Sequence, residues 1–159
     1  MELESGKYLI KKARDAIEAY LSGKELPKIS GFGKKQGIFV TLETYPKKEL
    51  RGCIGFPEPA MPLNEAVARA AVAAATQDPR FPPVSKSELK NLVIEISVLT
   101  PPKKMVCPAG ERPGEVAIGK DGLIAQCGEN TGLLLPQVPV DWKWDEKTFL
   151  CQTCVKAGL

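Results

Sequence analysis

Histidine is missing altogether from the 159 residues. That absence removes Ser-His and Cys-His nucleophile pairs, imidazole acid–base catalysis, facial triads and every zinc site that needs imidazole. Any catalysis has to rest on Cys, carboxylate, Lys, Tyr or backbone groups. Long apolar runs are missing too: an uncharged stretch such as Asn130 to Val140 is broken by Pro136 and Pro139 and falls far short of the ~20 residues a membrane span requires. The opening MELESGKYLI carries Glu2 and Glu4 and no apolar segment of the secretory kind, so no export signal is expected. Five cysteines make an odd count in a chain large enough to need no disulfide framework, so reduced thiols and a cytoplasmic location are expected. Aromatic residues are scarce at 6%, which argues against the basic stripes interleaved with aromatics that bind nucleic acids.

What is present suits one ordinary domain. With 43% apolar residues, a chain of this length buries roughly 70% of its unfolded surface without staples. The net charge of +3 is local in origin: between Lys24 and Arg51 the basic residues Lys24, Lys28, Lys34, Lys35, Lys47, Lys48 and Arg51 face only Glu25, Glu43 and Glu49. A patch of that size suits a small anionic ligand, and its null alternative is a solvated loop surface.

The patterning gives an α+β chain. Apolar residues Ile10, Ala13, Ile17, Tyr20 and Leu21 recur at helical spacing, with Gly23 placed to end the helix. Ile38 to Tyr45 alternates as a strand, Pro46 to Glu49 is a turn, and Leu50 to Phe56 is a second strand of the same hairpin. Leu63 to Gln77 reads as an alanine-rich, well-buried helix. Ser85 and Glu88 are spaced as a capping box, and Leu92 to Leu99 is an apolar strand. The Pro- and Gly-rich run from Thr100 to Gly114 marks a boundary. Beyond it, Glu115 to Ile118 and Leu123 to Gln126 are expected to form a hairpin over Lys120-Asp121-Gly122, Asn130 to Gly132 a turn, and Asp145 to Ala157 a capped helix ended by Gly158. Antiparallel sheets flanked by helices follow from this order. The expected division is a larger subdomain of 1–100 plus 145–159 and a smaller β-rich one of 101–144.

The most unusual local sequence is Leu50-Arg51-Gly52-Cys53-Ile54-Gly55. Two glycines inside one strand cost stability and mark a bulge or a close approach of a ligand or backbone. Alternation puts Arg51, Cys53 and Gly55 on one face. A positive charge beside a thiol favours its nucleophilic form; equally, Cys53 can be a small buried hydrophobe. Asp78-Pro79-Arg80-Phe81 joins two charges through a rigid proline, so Asp78 reads either as a turn acceptor or as part of a site. Cys151-Gln152-Thr153-Cys154 has redox spacing but falls inside a helix, not at its N-terminus, and is expected to be a buried structural stripe. Gly31 to Gly37 leads into a strand and lacks the helix N-terminus of a phosphate loop.

Read together, the LRGCIG string, DPRFPPV at Asp78 to Val84, the strand Glu95 to Leu99, the run Gly132 to Val138 and the final Lys156-Ala157-Gly158-Leu159 resemble the AMMECR-one domain family, whose prokaryotic members are called AmmeMemoRadiSam system protein A. The resemblance covers nearly the whole chain as a single domain. It implies two unequal subdomains with the LRGCIG segment near the cleft between them, and no firmly established activity. Its genomic neighbours imply Memo-like and radical S-adenosylmethionine proteins as partners in a modification pathway. Family members continue past the KAGL sequence, so a missing terminal segment that pairs with the sheet is expected; a native mass of 17.2 kDa would overturn that.

Carried over residue by residue, the candidate site is Leu50, Arg51, Gly52, Cys53, Ile54 and Gly55, with Asp78, Arg80 and Phe81 beside it. Two readings follow. In the preferred one the chain is a binding or adaptor module; in the other, Cys53 is the nucleophile or covalent carrier of an enzyme acting on a small anionic substrate. No cofactor and no metal site is expected.

Overall fold

In this computed structural model the described residues are 2–159, and they divide into two compact units, one running to Pro101 and one from Pro102 to Leu159. The first unit begins with helix α1, Leu3–Leu21, which starts a turn earlier than Lys7. Its buried stripe is Leu9, Ala13, Ala16 and Ile17, spaced at four, three and one, while Ile10 and Tyr20 are exposed. Gly23, at φ 67°, ends it as expected: the Gly23 N–H donates to the Tyr20 carbonyl and the Lys24 N–H reaches back to Ala19, the paired bonds of a Schellman motif.

Strands β1 (Ile38–Thr44) and β2 (Leu50–Phe56) form the expected hairpin, and β3 (Leu92–Val98) pairs with the other side of β1, giving the antiparallel order β2-β1-β3. The ladder slips between Leu42 and Glu43, which face Gly52 and Leu50, so Arg51 is the extra residue of a β-bulge, the device that the glycines of this strand signal. Helix α2 (Leu63–Thr76) is buried along almost its entire length. Its alanines let it lie against both α1 and the sheet: Ile38, Val40, Leu42, Ile94 and Leu92 join the α1 and α2 stripes in one apolar core. Both helices therefore cover one face of the sheet. The Gly31 to Gly37 loop is held onto α2, with Leu63 N–H donating to Lys34 O and Asn64 N–H to Phe32 O.

The second unit departs from the expected pattern. Its hairpin is β4 (Leu123–Cys127) with β5 (Asn130–Leu134), not two strands flanking Lys120 to Gly122. Gly128, at φ 59°, and Glu129 make a two-residue turn with glycine first, a connection whose twist matches paired strands. Asn130 to Gly132, expected as a turn, is the start of β5. The Asp121 carboxylate instead accepts the Ala117 N–H at 2.8 Å and folds 117–121 into a tight turn. A short helix α3 (Gln137–Asp141) follows, then α4 (Glu146–Lys156). The α4 helix is capped by Asp145, which accepts the Thr148 N–H at 2.8 Å, and closed by Gly158 at φ 76°. Residues 145–159 therefore belong with 102–144: α4 packs on β4 and β5, and its buried Phe149 centres a core with Val116, Leu123 and Leu134. A Cβ on Gly132 would strike the backbone of Lys156 and Ala157, which explains glycine there. No described helix is long and apolar enough to cross a membrane.

Candidate functional site

The LRGCIG strand is the outer strand of its sheet, and its two faces do different work. Toward the helices, Gly52 is fully packed: a Cβ there would be driven into the Ala74 carbonyl of α2. On the opposite face, Cys53 stands across from Thr41 and Gly55 across from Phe39. The Phe39 ring lies over Gly55 where a side chain would otherwise project. The Thr41 hydroxyl donates to Cys53 Sγ at 3.3 Å.

The residues after α2 fold back along the free edge of β2. Phe81 N–H donates to Asp78 O, and Val84 N–H to Ala75 O, which pins the DPRFPPV segment as a stiff turn. This brings the Asp78 carboxylate, only 3% exposed, against the edge. Its Oδ2 accepts the Cys53 N–H at 2.8 Å and Arg80 Nη2 at 2.7 Å. Its Oδ1 accepts the Arg80 N–H at 3.1 Å and Arg80 Nε at 2.9 Å. Both Asp78 alternatives therefore hold together, since one carboxylate is turn acceptor and edge cap. The Arg80 guanidinium beside it holds the Asp78 carboxyl far below the usual carboxylate range, against the opposing effect of burial and with help from the Cys53 and Arg80 N–H groups.

A second ion pair runs parallel to the first. Arg51, 12% exposed, places Nε 2.6 Å from Glu88 Oε1 and Nη2 3.2 Å from Oε2. Glu88 is fixed by the expected capping box: Ser85 N–H donates to Glu88 Oε2 and Glu88 N–H to Ser85 Oγ. The Arg51 hydrogen bonds lower the Glu88 pKa, opposed by burial and aided by the Ser85 N–H. The Phe81 ring has both guanidinium groups nearby, Arg51 Cζ 5.8 Å and Arg80 Cζ 5.5 Å from its centroid.

Arg51, Cys53, Asp78, Arg80 and Phe81 are thus gathered into one cluster within the first unit, joined by Thr41, Glu88 and Ser85, which the sequence reading did not place there. The Ser-x-x-Glu spacing was visible, but a capping Glu gives no sign of which distant arginine it will meet. Leu50 is exposed and, among the described residues, has no hydrogen bond or ring contact into the cluster; Ile54 packs on the apolar core. The groups expected to receive a small anion, Arg51 and the bulge-side backbone N–H of Cys53, are met here by Glu88 and Asp78 of the chain itself.

The C-x-x-C pair is not the buried stripe that its spacing suggested. Phe149, Thr153 and Ala157 face the core of the second unit, and Cys151 and Cys154 are exposed. All five cysteines are free thiols. Among the described residues no group of three or more Cys, Asp or Glu side chains is arranged to hold a metal ion.

An α+β unit with a bulged LRGCIG edge strand and a DPRF turn folded onto it defines a recognisable class. The AMMECR1 family model matches residues 10–159, and the chain belongs to that family. It is 54% identical over 164 residues to Protein PH0010 of Pyrococcus horikoshii, covering 98% of this chain and 80% of that protein. It is 50% identical to Protein MJ0810 of Methanocaldococcus jannaschii, covering 100% of this chain and 81% of that one. The crystal structure of PH0010, described as an uncharacterized protein, superposes with a TM-score of 0.93 at 51% identity over all of this chain and 82% of its own.

Proposed function

We propose that the protein is a cytoplasmic binding module that presents Arg80, Phe81 and the outer face of β2 to protein partners, and that these partners are Memo-like and radical S-adenosylmethionine proteins of a shared modification pathway. The observation that carries this reading is the closed charge balance around Cys53. Arg51 is matched by Glu88 and Arg80 by Asp78, and both Asp78 oxygens are taken up by donors. A nucleophilic thiol needs a base within hydrogen-bond reach. The group bonded to Cys53 Sγ is a hydroxyl that donates to it, and the nearest carboxylate is committed as an ion. A rigid, internally neutralised surface with a half-exposed Arg80 beside an aromatic ring is suited to recognition, since Arg and aromatic residues dominate the energetics of protein interfaces.

The test is titration calorimetry of the protein against the Memo-like and radical S-adenosylmethionine proteins of its own organism, with Phe81→Ala and Arg80→Lys alongside. Binding by the wild type that weakens at least about tenfold in both variants is expected; no binding to either protein sinks the partnership. The enzyme alternative, with Cys53 acting on a small anionic substrate, draws its support from the electrostatic contact between Cys53 and Arg80. It is tested by iodoacetamide labelling across pH with all five cysteines resolved. Labelling of Cys53 below neutral pH ahead of the exposed Cys151 and Cys154 would overturn the binding-module reading.

A further inference from the structure

The three-stranded sheet has a second outer edge, on β3, and its backbone directions follow from the bonds around it. Asn91 O accepts the Tyr45 N–H and Leu99 N–H donates to Gly37 O, so odd-numbered residues of this strand bond toward β1. Even-numbered residues point away, and Leu92 O, turned outward, accepts Arg14 Nη2 at 2.6 Å. Beyond that arginine, among the described residues, no protein group meets the outward N–H and C=O groups of Ile94, Ile96 and Val98. On the core face of the same edge, Ile96 and Val98 are only partly covered. A run of three donors and three acceptors beside half-covered apolar side chains is a template for one more strand.

The surroundings of the edge are basic. The α1 face that sends Arg14 to Leu89 O and Leu92 O carries exposed Ile10 one turn earlier, with Lys11 beside it. Lys90 stands exposed in the short 3-10 turn Leu89–Asn91 that leads into β3. Among the described residues Lys11 and Lys90 make no ion pair, whereas Lys7 and Lys12 each have a carboxylate.

We propose that the outer edge of β3 is a strand-acceptor site for an extended segment of a partner polypeptide in which apolar residues alternate with acidic ones. The partner's backbone pairs with Ile94, Ile96 and Val98, its apolar side chains extend the core face over Ile96, Val98 and Ile10, and its carboxylates meet Lys11 and Lys90. This site is separate from the Cys53 cluster, which borders the opposite edge, on β2.

Residue-resolved amide exchange of the whole protein tests it, using a capped nine-residue peptide of alternating Val and Glu as the probe and the Val/Lys counterpart as control. With the Val/Glu peptide, exchange at Ile94, Ile96 and Val98 is expected to slow about tenfold or more, while Glu95 and Ser97, already paired to β1, change little. The double substitution Lys11→Glu and Lys90→Glu, on exposed side chains that leave the core intact, is expected to transfer the protection to the Val/Lys peptide. No slowing with either peptide overturns the proposal. So does equal slowing with both, which removes the acidic partner, and so does protection that rises with protein concentration in the absence of peptide, which makes a second copy of the chain the occupant.

Discussion

The two edges of the three-stranded sheet are finished in opposite ways. Along β2, the outward N–H of Cys53 meets a buried carboxylate, the carboxylate is clamped by Arg80, and Pro57 and Pro59 follow the strand at once. Along β3, one arginine from α1 covers the first residues and the remainder is unpaired. Strand edges aggregate unless something blunts them, and a charged cap or proline is a common means. The contrast shows that burial alone does not settle where a sheet ends. Both outer strands carry apolar residues inward, yet only β2 has its outward hydrogen bonds taken up by a side chain that folded back for the purpose. The LRGCIG and DPRFPPV strings, far apart in sequence, are two halves of that one closure.

The largest effect in this comparison belongs to the inner side of the closed edge. Gly52→Ala drives a methyl group into the Ala74 carbonyl, and neither backbone can yield without separating β2 from α2. A loss of about 3 kcal/mol is expected from overpacking of this kind, read from the urea midpoint. Gly110→Ala, at a position with open space around it, should by comparison leave the midpoint nearly unchanged. A similar midpoint for the two variants would show that β2 is not held against α2 as described.

Next comes the cap itself. Asp78→Asn keeps an acceptor for the Cys53 N–H but removes the charge that Arg80 clamps, and a loss of roughly 2 kcal/mol at neutral pH is expected for a charge-assisted bond of this burial. The pH dependence fixes the cause. Because the folded Asp78 pKa lies below its unfolded value, near 3.9 for an ordinary aspartate, the carboxylate's stabilisation is fully present above that value and is lost as pH falls further toward the folded pKa. Glu88 is lowered in the same direction and adds to the slope. The gap between wild type and Asp78→Asn should therefore narrow between pH 7 and about pH 3; a gap of equal size at both would mean that the charge is not what closes the edge.

How far these features could be read from residues alone depended on whether their cause was local. Caps and turns were legible because one short string contains both partners: Gly23 and Gly158 end helices, Asp145 starts one, and Ser85 with Glu88 form the capping box. The β1–β2 hairpin and the buried α2 were legible from period and alanine content. Pairings made across the fold were not. Nothing near Arg51 announces Glu88, and nothing near Arg14 announces the Leu89 and Leu92 carbonyls. In the second unit the Asp-Gly step at 121–122 and the Gly128-Glu129 step compete as hairpin turns. The second prevails because it brings the apolar pairs Leu123–Leu134 and Ile124–Leu133 into register, a preference no local dipeptide reveals. The exposure of Cys151 and Cys154 was missed for a related reason: their spacing of three fits a helical stripe, but Phe149, Thr153 and Ala157, at a spacing of four, take the core side.

The smallest expected effect lies at the open edge. Arg14→Met keeps the apolar stem against the core and deletes the donors to Leu89 O and Leu92 O. Because this edge is otherwise unpaired, water can reach the freed carbonyls, and the expected cost is about 1 kcal/mol. Arginine does not titrate in the accessible range, so this loss should be the same at pH 7 and at about pH 3, unlike that of Asp78→Asn. Amide exchange should then quicken along β3 before it does along β2. If Arg14→Met cost as much as Asp78→Asn, or followed pH as it does, the β3 edge would be closed by a charge network as well, and the asymmetry that leaves it available for an added strand would vanish.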